Sequence, residues 1–122
     1  MRRIVMTITI NGKDYALYFG LDFIAYLDKK YNITENGFQL GQGLTYVVAQ
    51  IELGNPLVLL DLIAAATMTG VKPKPEDIKK YIETEADIEV LMNDFLSALE
   101  TAPSTKFTMK KLGLLMEKES KK

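Results

Sequence analysis

Side chains that take up protons, bind metals or attack electrophiles are scarce in this sequence: its 122 residues include no histidine and no cysteine. Without histidine the chain lacks the usual base at neutral pH and the commonest zinc ligand. Without cysteine it has no thiolate nucleophile, no thiolate metal site and no disulfide. Chemistry would have to come from carboxylates. Asp22 with Asp28, and Asp61 with Glu52, are the pairs to weigh. Acid–base or metal work needs two acids held a fixed few ångströms apart, one with a raised pKa, and neither spacing supplies that. Capping and helix-surface roles account for these acids with fewer assumptions. Asp61 stands apart because it lies between Leu60 and Leu62 in an otherwise apolar segment. Its carboxylate must face water, find a donor or meet a neighbouring subunit.

The other candidate motifs fail on context. Gly41-Gln42-Gly43 follows a polar stretch instead of a strand, and neither a third glycine nor a Lys-Ser/Thr pair comes at phosphate-loop spacing, so it reads as a helix-entry turn. Asn32-Ile33-Thr34 is a glycosylation sequon, which matters only in a secreted protein. Tyr15, Tyr18, Phe19, Phe23, Tyr26 and Tyr31 resemble a base-stacking platform, but basic residues to hold phosphates are nearly absent among them, so they read as core and rim. No metal or cofactor is expected, and an enzyme working through paired carboxylates is the least favoured reading.

The elements that would carry these residues begin with a strand. Met6, Ile8 and Ile10 alternate with Thr7 and Thr9, and Asn11-Gly12 follows, a dipeptide suited to a two-residue type I′ turn. That turn pairs Ile10 with Lys13, Ile8 with Tyr15, Met6 with Leu17 and Ile4 with Phe19, which places the large apolar side chains on one face. A slip by one residue would reverse the faces. A first helix is predicted from about Gly20 to Tyr31, then a loop from Asn32 to Gln42. A second helix spans about Gly43 to Leu53, and a third begins at Pro56 after a Gly54 C-cap and an Asn55 N-cap and ends near Thr69. A Pro/Lys connector leads to a short helix starting at Pro75, and Thr84 is the predicted cap of a helix that Pro103 closes.

The expected fold is therefore α+β, an N-terminal two-stranded antiparallel β-hairpin packed on about five α-helices. Residues 1–103 form the globular domain and residues 104–122 a basic, mobile tail. That tail, with Lys106, Phe107, Lys110, Lys111, Leu114 and Leu115, reads either as an amphipathic peptide for a partner or as a solvated end. The acidic stretch from Glu76 to Glu100 could attract it. Lys and Arg number 15 against 16 Asp and Glu, so no global field favours a polyanion, and no nucleic-acid partner is expected. No signal peptide is read at the N-terminus. The apolar stretch from Leu44 to Met68 is split by Gly54-Asn55-Pro56 and carries Glu52 and Asp61, so it is a poor membrane span. Its apolar surface, more than a small fold is expected to hide, points to a protein that works by binding. Leu57, Leu60, Asp61 and Met68 are the expected self-association or partner contacts.

Four stretches carry a family resemblance: Met-Thr-Ile-Thr-Ile-Asn-Gly-Lys-Asp-Tyr at 6–15, Phe-Gly-Leu-Asp-Phe at 19–23, Leu-Gly-Asn-Pro at 53–56 and Asp-Phe-Leu at 94–96. Together they look like the tail assembly chaperones of long-tailed bacteriophages of Gram-positive bacteria. The resemblance implies a non-enzymatic protein of the infected host's cytoplasm, from phage or prophage. It would coat the tape-measure protein, keep it soluble, help recruit tail-tube subunits, form a homo-oligomer and be absent from the finished virion. The alternative is a structural adaptor, such as a head-tail joining protein, retained in the particle. Family members are often made in two lengths by ribosomal frameshifting, and Lys121-Lys122 suits a slippery site, so this chain is expected to be the shorter product. A gene without a slippery heptamer or an overlapping downstream frame would remove that expectation.

Overall fold

The computed structural model describes residues 6–35, 38–41 and 43–120, and the side chains of residues 6–31 and 43–113. Strands β1 (Met6–Ile10) and β2 (Lys13–Leu17) form the expected hairpin, with Met6 opposite Leu17, Ile8 opposite Tyr15 and Ile10 opposite Lys13. Asn11 and Gly12 both adopt positive φ, 53° and 75°, as a type I′ turn requires. Ile8, Ile10, Tyr15 and Leu17 are all buried. The predicted Ile4–Phe19 pair lies outside the described residues.

Helix α1 (Leu21–Lys30) follows and buries Phe23 and Leu27. Phe19 packs edge-on against Phe23 and Phe95, with ring centroids 5.0 and 6.0 Å away, which ties the hairpin's exit to the far end of the chain. The loop expected from Asn32 to Gln42 is instead largely a second antiparallel hairpin, β3 (Asn32–Glu35) and β4 (Phe38–Gly41). Its strands are only four residues each, too short for a period-two pattern to stand out against the Asn, Gly and Thr around them. Asn36-Gly37, between them in the sequence, repeats the dipeptide that located the first hairpin.

Helices α2 (Gly43–Glu52) and α3 (Leu57–Thr67) are joined by the predicted tight turn. Gly54 has φ +75°, its N–H donates to the carbonyl of Ile51, and the N–H of Asn55 donates to that of Gln50, which is a Schellman closure. Asn55 Oδ1 then accepts from the N–H of Leu57, the N-cap role expected of it. Helix α4 (Pro75–Thr84) starts at its proline, with Glu76 and Asp77 in the first turn. The predicted cap at Thr84 is incorrect. Thr84 ends α4 with its hydroxyl donating back to the carbonyl of Lys80, and Asp87 caps α5 (Ile88–Thr101) by accepting from the N–H of Val90. Thr84 is the last residue of α4, and Asp87, directly before Ile88, holds the position from which a side chain can accept the first free N–H groups of α5.

Residues of the expected tail form α6 (Lys106–Ser120). Its entry is fixed by Thr105, fully buried, whose hydroxyl donates to the carbonyl of Leu99 at 2.6 Å. Helix α3 lies at the centre of the molecule: α1, α2, α4 and β2 all pack on it, and Leu59, Leu62 and Ile63 have no solvent exposure. Consequently the Leu44–Met68 stretch is mostly self-contained, which corrects the expectation of surplus apolar surface there. Leu44, Val47, Val48, Ile51, Val58, Leu59, Leu62 and Ile63 are core. Its exposed large apolar side chains are Tyr46, Leu53 and Leu57, and Leu60, Ala64 and Met68 are half-buried. No helix among the described residues is long and apolar enough to cross a membrane.

Candidate partner-binding groove

Along α3, Leu60, Asp61, Ala64, Thr67 and Met68 recur at three- and four-residue spacing and form one wall of an open groove of about 560 Å³. Tyr26 of α1 stands at one side. The opposite wall is the connector and first turn of α4, with Pro73, Pro75 and Ile78. Pro73 is buried, and its lack of an N–H suits a backbone that packs against side chains without a hydrogen-bond partner. Asp61 and Glu76 face Lys72 and Lys79 around the groove, so an apolar floor carries charges of both signs. Such an arrangement can take an amphipathic helix, with apolar burial supplying attraction and the charges setting register.

Asp61 is held in place. The Tyr31 hydroxyl donates to its Oδ2, and Lys30 Nζ lies 3.3 Å from its Oδ1. Tyr31 in turn stacks on Tyr46, centroids 4.3 Å apart and rings within 26° of parallel. The Lys30 side chain is 45% exposed, so water screens this pair and it contributes about 1 kcal/mol. The tyrosine bond matters more, because a hydrogen bond to an ionised acceptor is the stronger kind and this one ties α3 to the end of α1. Asp28 does separate work: its Oδ1 accepts the N–H of Gly43 at 2.8 Å and so caps α2. Each of these two acids is thus engaged by a different structural partner.

Of the predicted contact residues, the groove gathers Leu60, Asp61 and Met68. Leu57 lies elsewhere, 67% exposed in the first turn of α3 beside the tight turn. Lys106, Phe107, Lys110 and Lys111 are exposed on α6, with Lys111 Nζ 5.3 Å from the Phe107 ring centroid. Leu114 and Leu115 belong to α6, but their side chains lie outside those described. Sequence reasoning missed Tyr26, Ala64, Pro73 and Ile78. The connector Val-Lys-Pro-Lys-Pro at 71–75 was the available signal, since two prolines one residue apart make a stiff wall.

Residues 7–113 match the family described as phage tail assembly chaperone protein, TAC. No curated protein and no solved structure matches the chain.

Proposed function

The chain belongs to the phage tail assembly chaperone family, and from that premise we propose that it binds the tape-measure protein of a long-tailed phage of a Gram-positive host, seating one of its amphipathic helices in the groove between α1, α3 and α4. The observation that carries this reading is the groove itself, apolar along Leu60, Ala64, Met68 and Ile78 and edged by charges of both signs. A tape-measure protein is long and largely helical, and its apolar stripes lie bare until the tube closes around it. A small binder repeated along it would keep it soluble in the host cytoplasm, help bring in tail-tube subunits and leave before the virion is complete. Each contact need only be weak, because many copies on one chain add by avidity. Neighbouring copies would touch through Leu53 and Leu57 at the exposed α2–α3 turn, forming the homo-oligomer.

The test is co-expression with the tape-measure protein, followed by a solubility assay and pull-down. Met68→Glu places a carboxylate in the apolar floor at a half-buried site, and is expected to weaken capture at least tenfold while the melting temperature moves by only a few degrees. Unchanged capture by a folded Met68→Glu protein would overturn the groove assignment.

A further inference from the structure

Strand β1 has an open edge. Ile10 of β1 and Lys13 of β2 flank the two-residue turn and form a hydrogen-bonded pair, as do Ile8 with Tyr15 and Met6 with Leu17. The N–H and C=O groups of Thr7 and Thr9 therefore point away from β2, and no other backbone group among the described residues bonds to them. The edge lacks the usual guards: Met-Thr-Ile-Thr-Ile has no charge, no proline and no bulge. It also faces a trough. Met6, Thr7, Ile8 and Thr9 line a cavity of about 280 Å³ with Tyr81 of α4 and Asp87, Val90, Leu91 and Asp94 of α5. A second cavity of about 380 Å³, sharing Met6 and Asp94, extends it along Ser97, Ala98 and Thr101. Four consecutive strand residues from both faces can line one space only if that space runs along the backbone edge. Val90, on the far wall, is 52% exposed.

We propose that the trough between β1 and α5 takes up one extended segment of a partner polypeptide as an added strand, a segment with Lys or Arg side chains among apolar ones. This site is separate from the α1–α3–α4 groove and stands or falls without it. Thr7 and Thr9 supply the hydrogen bonds, and β1, at about 17 Å, accommodates roughly five residues. Among the described residues, Asp87 and Asp94 are the charged side chains lining the two cavities, which selects for cations. The same two acids oppose pairing with a second copy, because an edge-to-edge dimer would bring acid against acid.

The experiment is amide NMR and hydrogen exchange on the full chain. In the free protein the amides of Thr7 and Thr9 should exchange much faster than those of Ile8 and Ile10. The probe is a capped six-residue peptide of alternating lysine and valine. It is expected to protect Thr7 and Thr9 at least tenfold, to bind at least five times more weakly to the Asp87→Asn/Asp94→Asn variant, and to lose binding when alternate peptide amides are N-methylated. Thr7 and Thr9 amides that are indifferent to the peptide at millimolar concentration would overturn the proposal. So would an equal response to a glutamate–valine peptide, or sedimentation showing β1 already paired in a dimer.

Discussion

Tyr81 shows how one side chain reports on its surroundings. It sits half-buried between α4 and the β1 trough, and its phenol is pushed above the ordinary value of 10.0, first by burial and then by the carboxylates of Glu85 and Asp94. A raised folded-state pKa means the native protein holds this proton more tightly than the unfolded chain does. The associated stability is complete below the ordinary phenol value and is lost as pH rises through the higher folded one. As pH rises above about 10, wild type should lose more melting temperature than Tyr81→Phe, and the variant should lack one late-ionising phenol in the absorbance titration. Equal alkaline losses in both proteins would show that burial does not shift Tyr81. The neighbour Glu85, four residues on, was readable from the sequence, but Asp94 and the burial of Tyr81 arise only once α4 and α5 are folded against β1.

Among the elements, the α1–α2 crossing rests on one residue. Gly43 opens α2 against α1 so closely that a Cβ would overlap the carbonyl group of Leu27 and the backbone nitrogen of Asp28. Backbone cannot step aside as a side chain does, so Gly43→Ala must separate the helices and should cost about 3 kcal/mol, a fall in melting temperature of roughly 10–15 °C. Asp28→Ala removes only the cap on the same amide and should cost about 1 kcal/mol. Thermal melts of the two variants would separate close packing from capping, and equal losses would refute the packing role. The sequence marked Gly43 as a helix-entry turn and had no means to show what stands opposite. It was legible wherever one local rule acted alone, as at Asn11-Gly12 or Gly54-Asn55. It misled where two competed: Thr84 suits an N-cap, yet its hydroxyl bonds within α4, and Asp87 takes the position. The β3–β4 hairpin was obscured for a related reason, its four-residue strands being too short to outweigh a polar composition.

For the whole molecule, the decisive quantity is how little apolar surface is left over. The Leu44–Met68 stretch suggested a surplus, but a helix that is apolar all round is one that other elements enclose, and α3 is enclosed by α1, α2, α4 and β2. Three of the predicted contacts, Leu60, Asp61 and Met68, still meet in one groove because they share the side of α3 that its neighbours leave open. The self-association proposed above would then rely on small patches such as Leu53 and Leu57, 78% and 67% exposed. Burying two leucines contributes about 3–6 kcal/mol, which reaches only the low end of the roughly 4–15 kcal/mol that association costs, so free copies should pair only weakly. If the proposed tape-measure binding holds, the balance would change there, since adjacent copies would be held at an effective concentration on the order of millimolar. Light scattering should therefore find mostly monomer at micromolar concentration and a rising mean mass well above it, a rise that Leu53→Lys/Leu57→Lys abolishes. The same variant should still occupy isolated sites on the tape-measure protein while losing cooperative filling. A mass independent of concentration, together with unchanged cooperativity in the variant, would mean that each copy works alone and that the turn between α2 and α3 is ordinary surface.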